Sequence, residues 1–80
     1  MVTAIVLMNT ERGEVARVAR AIGQVPEATE VHSVTGPYDL VVKVQVEEYE
    51  LMAEVITEKL GQIEGVLDTE TLMAFRTYKF

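Results

Sequence analysis

Ala28-Thr29-Glu30-Val31-His32-Ser33-Val34-Thr35-Gly36-Pro37-Tyr38-Asp39-Leu40-Val41-Val42-Lys43-Val44-Gln45-Val46 is the stretch on which the fold turns. Ala28 to Thr35 reads as a strand, with Val31 and Val34 set among polar residues. Leu40 to Val46 reads as another. Leu40, Val42, Val44 and Val46 share one face, and Val41, Lys43 and Gln45 share the other. Between them, Thr35-Gly36-Pro37-Tyr38-Asp39 is the clearest turn signal in the chain. Gly36 permits a sharp backbone turn, and Pro37 fixes its own φ and donates no hydrogen bond. So short a connection makes the two strands an antiparallel hairpin.

Toward the start of the chain, Val15, Val18, Ala19 and Ile22 sit at i, i+3, i+4 and i+7, one stripe of an amphipathic helix. Arg12, Glu14, Arg17 and Arg20 fall off that stripe, and Gly23 and Pro26 stop the helix. Asn9 to Gly13 reads as a turn and helix entrance. Before it, Val2 to Met8 is a strand rich in β-branched residues. Val2, Ala4, Val6 and Met8 point one way and Ile5 and Leu7 the other, a pattern expected of a strand buried on both faces.

Toward the end, Glu47, Glu48 and Glu50 open a second helix, where its dipole favours negative charge. Tyr49, Met52, Ala53, Ile56 and Leu60 are its expected buried stripe, with Gly61 as C-cap. Glu54 and Lys59, at i, i+5, are spaced for only a loose pair. A long final strand is expected from about Leu67 to Tyr78. The order is β-α-β-β-α-β, the ferredoxin-like pattern of the α+β class, with a four-stranded antiparallel sheet and two helices on one face. The other sheet face has no cover within the chain, yet carries apolar residues. A large exposed apolar patch marks an interaction site, so this face is expected to meet another subunit.

Eighty residues make one domain, 1–80, with no linker or repeat. A chain of this length buries only about 60% of the surface its unfolded form exposes, so association with a second chain would add burial. Thirteen acidic residues against seven basic ones leave a formal net charge of −6. With no Lys/Arg cluster, direct nucleic-acid binding is disfavoured, as is an anionic membrane. The absence of cysteine removes disulfides, thiolate metal sites and thiol nucleophiles, and fits a reducing cytoplasm. The longest apolar run, Ala4 to Met8, is too short to span a bilayer.

Little in the sequence points to catalysis. His32 is the single histidine, sits beside Glu30, and lacks the further ligands or orienting group that metal binding or acid–base work would need. Asp68 and Glu70 share one face of the last strand and read as a solvent-facing pair. There is no GxGxxG, GxxxxGK[ST] or GxSxG motif, and no metal or cofactor is expected. The segment Val34 to Leu40 stands out instead. Asp39 could neutralise an ammonium group while turn N–H groups receive a carboxylate, an arrangement suited to a zwitterion. The alternative is that Asp39 merely caps local N–H groups of a hairpin turn.

At this segment the chain resembles a known family. Thr35-Gly36-x-Tyr38-Asp39 between hydrophobic strands is similar to the effector domain, or RAM domain, of the Lrp/AsnC transcription regulators. Val31-His32-Ser33-Val34 before it, Leu40-Val41-Val42-Lys43-Val44 after it, and Ile63-x-Gly65-Val66 leading to Thr69 and Thr71 extend the resemblance over essentially all eighty residues. The resemblance implies an amino-acid-binding domain that dimerises through its sheets and assembles further into rings of dimers. It implies that Gly36, Tyr38 and Asp39 hold the amino acid's backbone groups, with Thr69 and Thr71 completing the site from a neighbouring subunit. The family's regulators begin with a helix-turn-helix domain, whereas this chain starts directly with the first strand. The expectation is a stand-alone, non-enzymatic, cytoplasmic module that modulates full-length regulators through mixed assembly, or else an isolated fragment of a longer regulator. The alternatives are a small dimeric monooxygenase or isomerase, for which His32 and Tyr78 are the conspicuous candidates, and a purely structural assembly partner.

Overall fold

A computed structural model describes residues 1–80. The elements run β1 (Val2–Thr10), α1 (Val15–Ile22), β2 (Ala28–Ser33), β3 (Leu40–Val46), α2 (Tyr49–Glu54), a π-helical continuation (Val55–Leu60) and β4 (Val66–Met73). One antiparallel sheet holds all four strands in the order β2-β3-β1-β4. This is the ferredoxin-like β-α-β-β-α-β arrangement.

The core lies on one side of the sheet because β1 and β3 alternate in phase. Val2 pairs with Val46, Ala4 with Val44, Val6 with Val42 and Met8 with Leu40. These inward residues meet Val18 and Ile22 of α1 and Met52, Val55 and Leu60 of the second helix. Complete burial of each Val, Leu, Ile or Met side chain among them stabilises the fold by about 1.5–3 kcal/mol. The opposite face carries Ile5, Leu7 and Val41, each half-buried, and Leu72, which is exposed. Within a single chain, β1 is therefore fully buried on one face only.

Four boundaries or contacts differ from expectation, each for a local reason. The last strand ends at Met73 rather than near Tyr78, because β1 is its only neighbour and is used up: Met73 pairs with Ala4, and the Ala74 N–H reaches the Thr3 carbonyl at 2.9 Å. Strand β2 stops at Ser33, and the Val34 N–H turns back to the Asp39 carbonyl at 3.0 Å. Strand β1 runs on through Asn9 and Thr10, expected as turn, since these pair with Asp68 and Val66 across a bulge. Lys59 reaches Glu27 at 2.8 Å instead of pairing loosely with Glu54.

The second helix also buries a different stripe. Met52, Val55 and Leu60 are buried, Ile56 is half-buried, and Tyr49 and Ala53 face solvent. Met52 and Val55 are three apart and share a face, and the π-helical turn that follows brings residues five apart into line. It carries Leu60 under Val55, and Gly61 closes it by donating to the Ile56 carbonyl at 2.8 Å.

Candidate functional site

The β2–β3 hairpin sits at the end of the sheet where β1 gives way to α1. Gly36 makes the bend with φ at +126°, a conformation that side chains disfavour. The Asp39 N–H donates to the Met8 carbonyl at 2.8 Å, which anchors the base of the hairpin to β1. The Asp39 carboxylate then turns to β1 as well: Oδ2 accepts the Thr10 N–H at 2.9 Å and lies 3.5 Å from the Thr10 hydroxyl. Asp39 is thus a cap, but for a backbone group 29 residues away rather than for its own turn. Its other oxygen, Oδ1, makes no hydrogen bond within the chain. The N–H groups of Thr35, Gly36 and Tyr38 also donate to nothing in the chain. One free carboxylate oxygen and several free N–H donors are therefore gathered in five residues. Together they can accept from an ammonium group and donate to a carboxylate.

Tyr38 leaves the hairpin sideways. Its hydroxyl donates to the Glu70 carboxylate on β4. The hydrogen bond to Glu70 holds the phenol's pKa above its usual value of 10.0, and partial desolvation and the negative charges of Glu70 and Asp68 act in the same direction. Asp68 and Glu70, read from sequence as a solvent-facing pair, are exposed, but Glu70 has this specific partner. Their alternation is the only signal the sequence offers, and it does not name Tyr38.

Thr69 and Thr71 face the other way. They pair with Met8 and Val6, whose side chains enter the core, so they lie on the helix side of β4, whereas Glu70 lies on the open side. Thr71 lines a groove of about 470 Å³ between β4 and the second helix, floored by Met52, Ala53, Ile56 and Met73. Within one chain, Tyr38 and the two threonines therefore occupy opposite faces of β4. His32 is exposed on β2 and bound to Glu30 at 3.0 Å, while Tyr78 lies beyond the last strand, so the two do not converge. No group of three or more His, Asp or Glu residues is arranged to hold a metal ion. No helix is long and apolar enough to cross a membrane.

A ferredoxin-like domain with an unoccupied sheet face and a donor-rich hairpin at its end has the build of a ligand-binding regulatory domain. The comparisons with known proteins specify which kind. The chain belongs to the Lrp/AsnC ligand binding domain family, whose model matches residues 3–80. It is similar to the HTH-type transcriptional regulator FL11 of Pyrococcus horikoshii, 33% identical over 76 residues, which are 95% of this chain and 50% of the regulator. The chain thus spans about half the length of the curated relatives it matches. Among solved structures, TTHA0845 from Thermus thermophilus is 44% identical with a TM-score of 0.93, each chain covered in full. The transcriptional regulator NMB0573 of Neisseria meningitidis, solved as its L-Met complex, shares the fold at 16% identity with a TM-score of 0.86, over 99% of this chain and 53% of its own.

Proposed function

We propose that this chain is an amino-acid-sensing module that self-associates and modulates transcription regulators of its own family through mixed assembly, acting as a binder rather than an enzyme. The observation that carries this reading is the Thr35–Asp39 hairpin, where the free N–H groups of Thr35, Gly36 and Tyr38 lie in one turn with the free Oδ1 of Asp39. In this reading the N–H groups receive the ligand carboxylate, Asp39 receives its ammonium, and the Tyr38 ring covers one side. Thr69 and Thr71 close the site from a neighbouring subunit, which agrees with their lying on the opposite face of β4 from Tyr38's partner. Membership of a ligand-binding family supports the reading, and the L-Met complex of the Neisseria regulator supports the ligand class. Self-association is supported by the uncovered band of Ile5, Leu7, Val41 and Leu72 on the open face.

Thermal shift and calorimetry against the twenty amino acids test this. A ligand at a hundredfold excess over its Kd stabilises the fold by about 2.7 kcal/mol, a readily measured rise in Tm. At least one amino acid should raise Tm and change the oligomer size. No response to any of the twenty would sink the amino-acid reading.

A further inference from the structure

The segment after β4, Ala74-Phe75-Arg76-Thr77-Tyr78-Lys79-Phe80, is unlike the rest of the chain. Phe75 and Phe80 are the chain's two phenylalanines, and with Tyr78 they are almost wholly exposed. The segment also carries two of the seven basic residues and none of the thirteen acidic ones, on a domain that is otherwise strongly acidic. Neither Arg76 nor Lys79 has an acidic partner in the chain, and Arg76 rests against the Phe75 ring at 5.7 Å. The segment leans to the open side of the sheet. Phe75, Arg76, Lys79 and Phe80 border a concavity of about 700 Å³ with Thr3, Lys43 and Gln45. Gln45 and Thr3 are hydrogen-bonded across that face at 3.2 Å.

At the other end of the same face stand Asp68 and Glu70, opposite Asn9 and Leu7 of β1. Both are exposed, and neither has a basic partner in the chain. The two ends of the open face therefore carry opposite, uncompensated charge, with the apolar band between them.

We infer that residues 75–80 are an arm that docks on a second copy of this chain, its Arg76 and Lys79 meeting Asp68 and Glu70 of that copy. The inference rests on the face-to-face association proposed above and specifies its geometry. A two-fold axis running across the strands keeps β4 over β4 and reverses its direction. With the axis at the row of Ile5 and Leu72, the Ala74 end of one β4 faces Glu70 of the other. Six extended residues reach about 20 Å, enough to pass from Glu70 beyond Asp68. The aromatic rings of the arm then leave water against the second copy, and the relation is isologous, so each copy gives one arm and receives one. Because Glu70 holds the Tyr38 hydroxyl, the arm of one copy lands beside the ligand hairpin of the other.

A charge swap tests this on the full chain. The association constant is measured by sedimentation equilibrium at low salt for wild type, Arg76→Glu with Lys79→Glu, Asp68→Lys with Glu70→Lys, and all four changes together. Each double variant should weaken association at least about tenfold, and the fourfold variant should recover most of the loss. Wild-type association should also weaken as salt rises. If both double variants associate like wild type, or the fourfold variant recovers nothing, the arm contact is wrong while the sheet-face reading stands. A wild type that stays monomeric at all concentrations overturns the self-association reading itself. Arg76 and Lys79 lie outside every strand and helix, so their variant remains informative if the β4 variant fails to fold.

Discussion

Asp39 ties the base of the β2–β3 hairpin loop to the end of β1, its Oδ2 accepting the Thr10 N–H at 2.9 Å. Thr10 is the single buried polar residue of the domain, and its N–H would otherwise lose this partner at the point where the strand ends. Asp39→Ala should therefore cost about 1–3 kcal/mol, because it strands a donor that has left water. Asp39→Asn keeps an acceptor oxygen and should cost about half as much. Urea unfolding of the two variants measures the difference. The pair also separates two roles, since Asn preserves the cap but removes the charge proposed to hold an ammonium group. Ligand binding lost in both variants, with stability lost mainly in Ala, is the expected pattern.

Tyr38 and Glu70 should be linked in titration. The phenol is raised above 10.0 first by its hydrogen bond to Glu70. A group whose folded pKa lies above its unfolded value stabilises the fold fully below the unfolded pKa. That contribution disappears as pH rises through the folded value. Stability from this contact should thus be constant through neutral pH and fall only in the alkaline range. Ultraviolet difference titration of wild type against Tyr38→Phe isolates this phenol from Tyr49 and Tyr78. Glu70→Gln should bring its midpoint down toward that of free tyrosine, and an unchanged midpoint would refute the contact.

Gly65 is expected to tolerate no side chain. Its φ is +101°, and a Cβ there would lie 2.9 Å from Val18 Cγ2 and 2.7 Å from Arg17 Nη2. The Arg17 guanidinium already donates to the neighbouring Glu64 carbonyl at 2.8 Å, holding α1 against the start of β4. Arg17 is long enough to move aside, but Val18 is a fully buried core residue and is not. Gly65→Ala should cost at least about 2 kcal/mol, combining left-handed backbone strain with the clash. Equilibrium denaturation checks the value. Gly36→Ala meets the same backbone strain at φ +126° but no neighbour within 4 Å, so it should cost less.

Much of this architecture is legible in the sequence because strict alternation is hard to mistake. The phase of Leu40, Val42, Val44 and Val46 determines which side of β3 is core, and the same parity in β1 follows. The hairpin is visible because Gly36 and Pro37 admit few backbone alternatives. Long-range polar partners are not visible. Nothing in Asp39 indicates that its carboxylate is used by Thr10, or in Tyr38 that its ring crosses to Glu70, since both contacts depend on strand order. The end of β4 is misread from sequence for a related reason: a strand lasts only as long as its neighbour, and the residues after Met73 are apolar enough to read as strand. Which face of β4 carries Thr71, and that Tyr38 meets the other face through Glu70, likewise emerges only from register.

The second helix gives the sharpest contrast between pattern and structure. The stripe expected from sequence places Tyr49 and Ala53 in the core beside Met52, whereas Tyr49 is 67% exposed and Val55 only 3% exposed. Val55→Ala removes two methyl groups from a filled core site and should cost roughly 2 kcal/mol. Tyr49→Ala removes a much larger side chain from solvent and should stay within about 0.5 kcal/mol of wild type. The stripe expected from sequence, with Tyr49 in it and Val55 outside it, requires the reverse order, so chemical denaturation of these two variants decides which face of the helix is core. Ligand response adds a second readout. Tyr49 borders the groove lined by Thr71, so Tyr49→Ala should alter amino-acid affinity if that groove closes the site, with little change in stability. Val55→Ala should lower stability and leave the affinity of the folded fraction nearly unchanged.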